Sequence, residues 1–301
     1  MPREALLQVK DLHVTFNAGK ANEVRAVNGI SFEIFKGETF GLVGESGCGK
    51  STTGRTILHL VKPTSGEILF QGEDIYRVKN RRQLKDFQRY IQMIFQDPYA
   101  SLDARMKVRD IIAEGMDIHK LYTSKQEREQ IVRELLVKVG LSHAHADLYP
   151  SEFSGGQRQR IGIARALAVK PKLIVADEPI SALDVSIQAQ VVNLMKDLQI
   201  QEDLTFLFIA HDLSMVRYIS DRIGVMYNGR LVELAEANIL YENSVHPYTK
   251  SLLSAIPIPE PLLERSRERI AYNADVFASF EGDNPTMKEI EPGHFVYCTE
   301  I

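Results

Sequence analysis

The strongest constraint on this chain is a glycine-rich turn set between an apolar strand and a helix. Residues 44–51 read GESGCGKS and fit the pattern GxxxxGK[ST]. Thr39–Val43 before the turn is a short apolar run, and Thr52 to Leu60 after it has helix-like apolar spacing. Backbone N–H groups of such a loop surround a phosphate, while Lys50 adds a mobile positive charge and Ser51 a hydroxyl for Mg²⁺. The turn therefore predicts a phosphate-binding loop in an α/β protein.

Polar side chains follow three further apolar runs, each as long as a buried strand. Asp177 and Glu178 close the run LIVADE, His211 follows TFLFIA, and Gln96 ends IQMIFQ. Since α/β sheets bind ligands at the carboxyl ends of their strands, these side chains are expected near the loop. Asp177 is the predicted Mg²⁺ partner, and Glu178 the group that orients or deprotonates an attacking water. We expect His211 to contact the terminal phosphate and the Gln96 amide to bind Mg²⁺ and a water.

A second glycine turn, FSGGQRQR at residues 153–160, also has features of a phosphate site. A serine and two glycines open a predicted helix, whose N-terminus carries positive character. It has no lysine, and the chain already holds a complete phosphate loop. The residues of the turn alone therefore do not show which phosphate it would bind.

In this order the motifs resemble the full set of the ATP-binding-cassette (ABC) transporter ATPases, over roughly residues 5–260. FSGGQ matches the signature motif, Gln96 the Q-loop, SALD (residues 181–184) the D-loop and His211 the H-loop. The resemblance implies ATP and Mg²⁺ as cofactors, catalytic roles for Lys50, Glu178 and His211, and metal ligation by Ser51, Gln96 and Asp177. The implied nucleotide-contacting residues are Phe16, Gly44, Glu45, Ser46, Gly47, Cys48, Gly49, Lys50, Ser51, Thr52, Gln96, Ser154, Gly155, Gly156, Gln157 and Asp184.

Two groups among these residues have implied roles away from the phosphate loop. Phe16 sits where the family stacks an aromatic on adenine, although an ordinary strand aromatic fits nearly as well. Ser154, Gly155 and Gly156 are implied to contact the γ-phosphate of ATP bound to a second ATPase domain. Because no second GxxxxGK[ST] occurs, that domain belongs to another chain.

Longer stretches of the sequence, especially HPYTKSLLSAIP, resemble the oligopeptide/dipeptide importer subfamily. The tail MKEIEPGHFVY resembles second ATPase subunits of Gram-positive oligopeptide permeases. This implies an ATP-hydrolysing motor subunit at the cytoplasmic face of the membrane. The implied partners are a second ATPase subunit forming a heterodimer, two integral membrane permease subunits and, indirectly, a solute-binding protein. Import of nickel or another small solute is the alternative, since nickel importers share much of this pattern.

The expected fold is an α/β P-loop ATPase core with a mostly parallel sheet and an N-terminal antiparallel β subdomain. Residues 1–245 form the ATPase domain, with a helical subdomain inserted at about 108–170. Residues 246–301 are predicted to be a C-terminal extension outside the sheet, because prolines recur at 247, 257, 259 and 261 before a polar tail.

Composition narrows the function classes. A net charge of -4 argues against a polyanion-binding surface, so no nucleic-acid partner is expected. Two distant cysteines indicate a reducing compartment, and no apolar run approaches the ~20 residues that span a bilayer. Soluble cassette ATPases that act on DNA or ribosomes are the remaining class. They are disfavoured because the chain lacks long heptads between Gln96 and Ser154 and carries a single phosphate loop.

Overall fold

The computed structural model describes residues 4–78, 80–211, 213–256, 269–271 and 273–299 of the chain. Within these residues the strands form two sheets, and helices connect and cover them. The strands are β1 (Ala5–Phe16), β2 (Val24–Phe35), β3 (Thr39–Val43), β4 (Ser65–Phe70), β5 (Glu73–Asp74), β6 (Ile91–Ile94), β7 (Leu173–Asp177), β8 (Thr205–Ala210), β9 (Arg222–Tyr227), β10 (Arg230–Glu236), β11 (Thr286–Glu291) and β12 (His294–Cys298). The α-helices are α1 (Lys50–Ile57), α2 (Arg81–Tyr90), α3 (Val108–His119), α4 (Lys125–Lys138), α5 (Gly155–Leu167), α6 (Val185–Glu202), α7 (Leu213–Ile219), α8 (Ala237–Asn243), α9 (Pro247–Ser254) and α10 (Ala274–Glu281).

The N-terminal sheet is antiparallel, in the order β2, β1, β4, β5. The apolar alternation of the first strand changes phase at Asp11, and there the pairing of β1 with β2 shifts register. Asp11 has a φ of 46°, a left-handed conformation that occurs in β-bulges. The predicted antiparallel element is confirmed, and a bulge lies where the apolar alternation breaks.

The second sheet has eight strands in the order β11, β12, β10, β9, β3, β8, β7, β6, and β9, β3, β8, β7 and β6 are parallel. The central strands β3, β7 and β8 are buried along their whole length. Both faces are covered, because Phe206 and Phe208 pack in one hydrophobic cluster and Leu207 and Ile209 in the other. The predicted mostly parallel core is confirmed.

The stretch 108–170 is helical, as predicted. It contains α3, α4 and α5, with two short 3₁₀ turns at His143–Asp147 and Pro150–Glu152. Buried side chains such as Ile112 and Leu136 share one hydrophobic cluster with α6 and a face of the parallel sheet. This packing fixes the start of α5, where the second glycine turn lies. None of the helices in the described ranges is long and apolar enough to cross a membrane.

The C-terminal region corrects the sequence prediction, which placed all of it outside the sheet. β11 and β12 form a hairpin, and β12 pairs antiparallel with β10, with Glu233 opposite Val296. The prediction is wrong because residues 286–298 form two strands, joined by a Pro-Gly turn in which Gly293 has a φ of 78°. No apolar alternation is apparent in β11 because charged residues are frequent there, although His294 and Val296 of β12 are buried. Three of the predicted linker prolines lie outside the described residues: Pro257, Pro259 and Pro261.

Candidate active site

The predicted site residues gather at one edge of the parallel sheet. β3 runs into the loop 44–49, β7 ends at Asp177, β8 ends just before His211, and Gln96 follows β6 by two residues. These four strands are parallel and ordered β3, β8, β7, β6, so their carboxyl ends meet at the same edge. Sequence order alone does not show that β8 separates β3 from β7.

The phosphate loop is held closely by its own chain. Gly49 has a φ of 108°, and a Cβ built on it would lie 2.2 Å from the Ala26 carbonyl oxygen. A Cβ on Gly44 would lie 2.2 Å from the Met226 carbonyl oxygen. Only glycine combines such backbone angles with such close approach. Glu45, Ser46 and Gly47 at the crest of the loop are exposed, so their backbone is open to a phosphate.

Lys50 lies inside the loop, with only 4% of its surface exposed. Its ammonium group donates to the carbonyl oxygens of Gly44 at 2.7 Å and Glu45 at 2.8 Å. The Cys48 sulfur lies 3.6 Å from the same nitrogen, and burial raises the pKa of this thiol despite the nearby positive charge. The positive charge is therefore positioned within the loop, and Cys48 is a buried neutral thiol rather than a nucleophile.

Ser51 and Asp177 form a pair of oxygen groups beside the loop. The Ser51 hydroxyl donates to Oδ1 of Asp177 at 2.7 Å, and Asp177 is 2% exposed. Burial raises the pKa of the Asp177 carboxyl, and the Ser51 hydrogen bond opposes this shift. A buried carboxylate with a hydroxyl at this distance, and oxygen donors only, is a donor set that fits Mg²⁺. Thr52, the next residue, is half-buried at the start of α1.

Glu178 is the centre of the second polar group. Its Oε2 accepts the Gln96 amide at 2.9 Å and lies 3.2 Å from Nδ1 of His211. The side chain is 16% exposed, while that of His211 is 57% exposed. Glu178 also has a φ of 47°, a left-handed backbone conformation that is strained for a residue with a side chain. Strain of this kind concentrates at functional sites and here directs the carboxylate between Gln96 and His211.

The second glycine turn is built as a helix cap. Ser154 is the N-cap of α5; its hydroxyl accepts the Gln157 N–H at 3.3 Å, while the Gln157 side chain accepts the Ser154 N–H at 3.0 Å. A Cβ on Gly155 would meet nothing closer than 3.5 Å, whereas one on Gly156 would lie 2.4 Å from the Ile187 side chain. Packing within the chain therefore requires Gly156 to be glycine and leaves Gly155 open.

In the described residues, no hydrogen bond or ion pair joins Ser154–Gln157 to the loop 44–52. Asp184 is exposed at the N-cap of α6 and makes no side-chain cap bond there. Phe16, at the end of β1 opposite Val24, is 41% exposed. The predicted residues thus form one gathered site, while Ser154, Asp184 and Phe16 are exposed outside it.

Sequence reasoning missed Tyr248, which contacts the phosphate loop. Its hydroxyl accepts the backbone N–H of Glu45 at 3.0 Å across 203 positions of sequence. The residue belongs to HPYTKSLL, a stretch that the sequence marked only by resemblance. No local pattern shows that this stretch folds against residues 44–51.

Two family models match the chain. The model of the ABC transporter family matches residues 27–181, which include both glycine turns and the two acids at the end of β7. The model described as the oligopeptide/dipeptide transporter C-terminal region matches residues 232–282, which include Tyr248.

Curated relatives are similar over nearly the whole chain. The oligopeptide transport ATP-binding protein OppF of Bacillus subtilis is 64% identical over 297 residues, covering 99% of this chain and 97% of that protein. The dipeptide transport ATP-binding protein DppF of Lactococcus lactis is 58% identical over 297 residues, covering 98% and 94%.

Solved structures share the fold. That of cbiO1 from Clostridium perfringens, part of an ABC transporter complex, is 26% identical with a TM-score of 0.70, covering 80% of this chain and 92% of that one. A dimeric ATP-binding cassette in a post-hydrolysis state, bound to ADP and Pi, is 28% identical with a TM-score of 0.69, covering 77% and 98%.

Proposed function

The chain belongs to the ABC transporter family of ATP-binding proteins, and from that premise we propose that its ATP hydrolysis powers an importer of oligopeptides or dipeptides. It is an ATPase coupled to transmembrane transport, and it works as a pair of ATPase domains. The transported class is supported by the matched C-terminal region of oligopeptide and dipeptide transporters and by relatives named for oligopeptide and dipeptide transport.

The observation that carries the proposal is the position of the Glu178 carboxylate. It is held between the Gln96 amide and His211, and the neighbouring residue Asp177 bonds Ser51 at the loop. A carboxylate fixed beside a phosphate site orients and deprotonates the water that attacks the γ-phosphate. His211 extends toward solvent from the same cluster, where it contacts that phosphate.

Binding of the substrate uses the loop. The amides of residues 46–51 surround the phosphates of ATP, and Lys50 exchanges its bonds to the loop carbonyls for bonds to the β- and γ-phosphates. Phe16, exposed at the end of β1, stacks on the adenine ring.

A magnesium ion fits the oxygen donors beside the loop. Ser51 and Asp177 would hold it, with Gln96 completing the protein's donors. When bound, the ion neutralises charge on the β- and γ-phosphates. The residues' own part is to keep these oxygens in place: Asp177 remains fixed by the Ser51 hydroxyl and by burial.

The second ATPase domain comes from another chain. The turn at exposed Ser154 and half-buried Gly155 has room for a phosphate that its own loop does not supply, and the sequence contains one phosphate loop. Exposed Asp184 lies near that turn, because the side chain of its neighbour Leu183 is the nearest one to Gly155. We assign the partner as a different ATPase subunit, because the tail resembles second subunits of oligopeptide permeases. Closing of this pair on ATP and reopening after hydrolysis supply the two states that transport needs.

The remaining partners are two integral membrane permease subunits and, through them, a solute-binding protein. The chain then lies at the cytoplasmic face of the membrane. Identification of the subunits that co-purify from native membranes tests this, and recovery without any integral membrane protein would refute it.

The decisive test of the site is Glu178→Gln in the purified complex. We expect retained ATP binding and a loss of turnover of at least ~100-fold, the usual contribution of general base catalysis. The matched control is Glu134→Gln, an exposed position on α4, which is expected to keep full turnover. Unchanged hydrolysis in Glu178→Gln would refute the catalytic assignment. Peptide uptake that persists after deletion of the subunit would instead point to nickel or another solute.

A further inference from the structure

A buried carboxylate joins the C-terminal region to the cassette. Glu233, in β10, is fully buried and accepts three hydrogen bonds. The donors are the backbone N–H groups of Val245 at 2.7 Å and His246 at 3.1 Å, and the ring of His294 at 2.8 Å. Two donors lie at the junction with the C-terminal region and one in its last strand. One side chain therefore fixes this region from both ends.

The start of α9 is fixed by the same network. His246, also fully buried, is its N-cap and accepts the Tyr248 N–H at 3.1 Å through Nδ1. Tyr248 is 1% exposed, and its ring centroid lies 4.5 Å from that of Tyr227 and 6.0 Å from that of Phe277. Hydrogen bonds at the backbone and ring contacts on the side chain leave Tyr248 a single orientation.

That orientation brings the Tyr248 hydroxyl to the phosphate loop. The oxygen accepts the N–H of Glu45 at 3.0 Å, while the C=O of the same peptide, on Gly44, accepts the Lys50 ammonium at 2.7 Å. The N–H and C=O of a planar trans peptide point in opposite directions. Tyr248 and Lys50 thus hold one peptide plane from its two sides.

We propose that Tyr248 is a positioning residue for the phosphate loop: it fixes the Gly44–Glu45 peptide, so that the C-terminal region sets the affinity for nucleotide. The inference rests on the proposed ATP site at this loop. When the hydroxyl is lost, the peptide is free to rotate and the binding-competent loop becomes a fraction of the population. Apparent affinity falls by that fraction. One hydrogen bond of ordinary strength corresponds to about a 3- to 10-fold loss.

The test is Tyr248→Phe in the full chain, which keeps the ring and removes only the hydroxyl. Titration with fluorescent analogues of ATP and of ADP is expected to give about 3- to 10-fold weaker binding for both, since both place a β-phosphate in the loop. In the assembled complex the KM for ATP is expected to rise with kcat unchanged, because only uniform binding is removed.

The matched control is Tyr297→Phe, which also removes one hydroxyl from the C-terminal region. That hydroxyl accepts a hydrogen bond from Arg230 in the sheet and not from the loop. Unchanged nucleotide affinity in Tyr297→Phe is expected. An equal loss in both variants would mean general loosening of the region and would overturn the proposal, as would unchanged affinity in Tyr248→Phe. Weakening for ATP but not ADP would also overturn it, since the effect would then lie at the γ-phosphate.

Failure of the site itself is separated by Lys50→Ala. If Lys50→Ala binds ATP normally, the proposed nucleotide site is wrong and the role of Tyr248 falls with it. If Lys50→Ala abolishes binding while Tyr248→Phe matches the unaltered protein, the site stands and only the positioning role is refuted.

Discussion

The two glycine turns differ in what surrounds their glycines. A Cβ on Gly44 or Gly49 would lie 2.2 Å from a carbonyl oxygen of the same chain, whereas one on Gly155 would meet nothing within 3.4 Å. Packing within the chain therefore explains Gly44 and Gly49 of the phosphate loop and leaves Gly155 unexplained. An open glycine next to exposed Ser154 leaves room for a phosphate from outside the chain, which supports the proposed second ATPase domain.

Polar groups show the same contrast. The Lys50 ammonium is buried and bonded to loop carbonyls, while Ser154 is exposed and uses its hydroxyl to cap its own helix. The phosphate loop is complete inside one chain. The second glycine turn, the signature turn at residues 153–160, instead forms a capped helix start that lacks a lysine.

The largest expected effect comes from Gly49→Ala in the phosphate loop. The added Cβ overlaps the Ala26 carbonyl, and a φ of 108° is unfavourable for alanine. We expect a loss of about 3 kcal/mol or more in the free energy of unfolding, measured by urea denaturation. Gly47→Ala is the control, because Gly47 has a φ of 83° but no atom within 4 Å. Its expected loss is about 1 kcal/mol; equal losses would show that the contact with Ala26 is not what requires Gly49.

The next effect tests the open turn through Gly155→Asp. In the proposed pair of ATPase domains a carboxylate there would face the phosphate of the partner's ATP, and like charges across an interface cost several kcal/mol. We expect at least a ~100-fold loss of ATP-driven pairing with the second subunit, measured by analytical ultracentrifugation, and unchanged ATP binding by the single chain. Gly155→Ala, whose Cβ has room, is the control for folding. Loss of ATP binding by the single chain would contradict this division between the turns.

Gly156→Ala sharpens the comparison within the second turn. Its Cβ would lie 2.4 Å from Cγ2 of Ile187, so overpacking is expected to reduce the free energy of unfolding by about 1–3 kcal/mol. Adding Ile187→Ala removes the clashing atom, so the double variant is expected to lose less stability than the two single changes added together. Simple additivity in this cycle would show that the contact does not limit residue 156.

The sequence could predict the gathered site because its signals are local. Each of Asp177, Glu178, His211 and Gln96 follows an apolar run, and parallel strands bring such ends to one edge. Gly155 and Gly156, in contrast, look identical in sequence. Only the Ile187 side chain, 31 positions after Gly156, separates their roles.

The C-terminal region was the least predictable part. The hairpin β11–β12 depends on pairing with β10, about 60 residues earlier in the chain, and Tyr248 reaches a loop 203 positions away. Both are long-range contacts between short segments, which carry no periodic signal of their own. The sequence therefore predicts the polar residues of the site but not Tyr248, whose hydroxyl accepts a hydrogen bond from the phosphate loop.

The smallest expected effect concerns Asp177, the buried carboxylate beside the phosphate loop. Burial raises the pKa of Asp177, so its ionised form is disfavoured in the folded chain. Asp177→Asn keeps the shape and removes the charge. We expect a gain of about 1 kcal/mol in the free energy of unfolding at neutral pH without nucleotide, seen as a melting shift of about 2 °C.

The pH dependence of this gain identifies its cause. Because the folded pKa of Asp177 lies above the unfolded value, its contribution to stability is fully present below the unfolded pKa and is lost as the pH rises through the folded pKa. The stability difference between Asp177→Asn and the unaltered chain is therefore expected at neutral pH and should vanish in acid. Asp184→Asn, at the exposed D-loop, is the control and is expected to change stability by no more than about 0.5 kcal/mol. If Asp177→Asn is instead less stable at neutral pH, the hydrogen bond from Ser51 stabilises the ionised carboxylate by more than its burial costs. The expected gain in stability is then wrong.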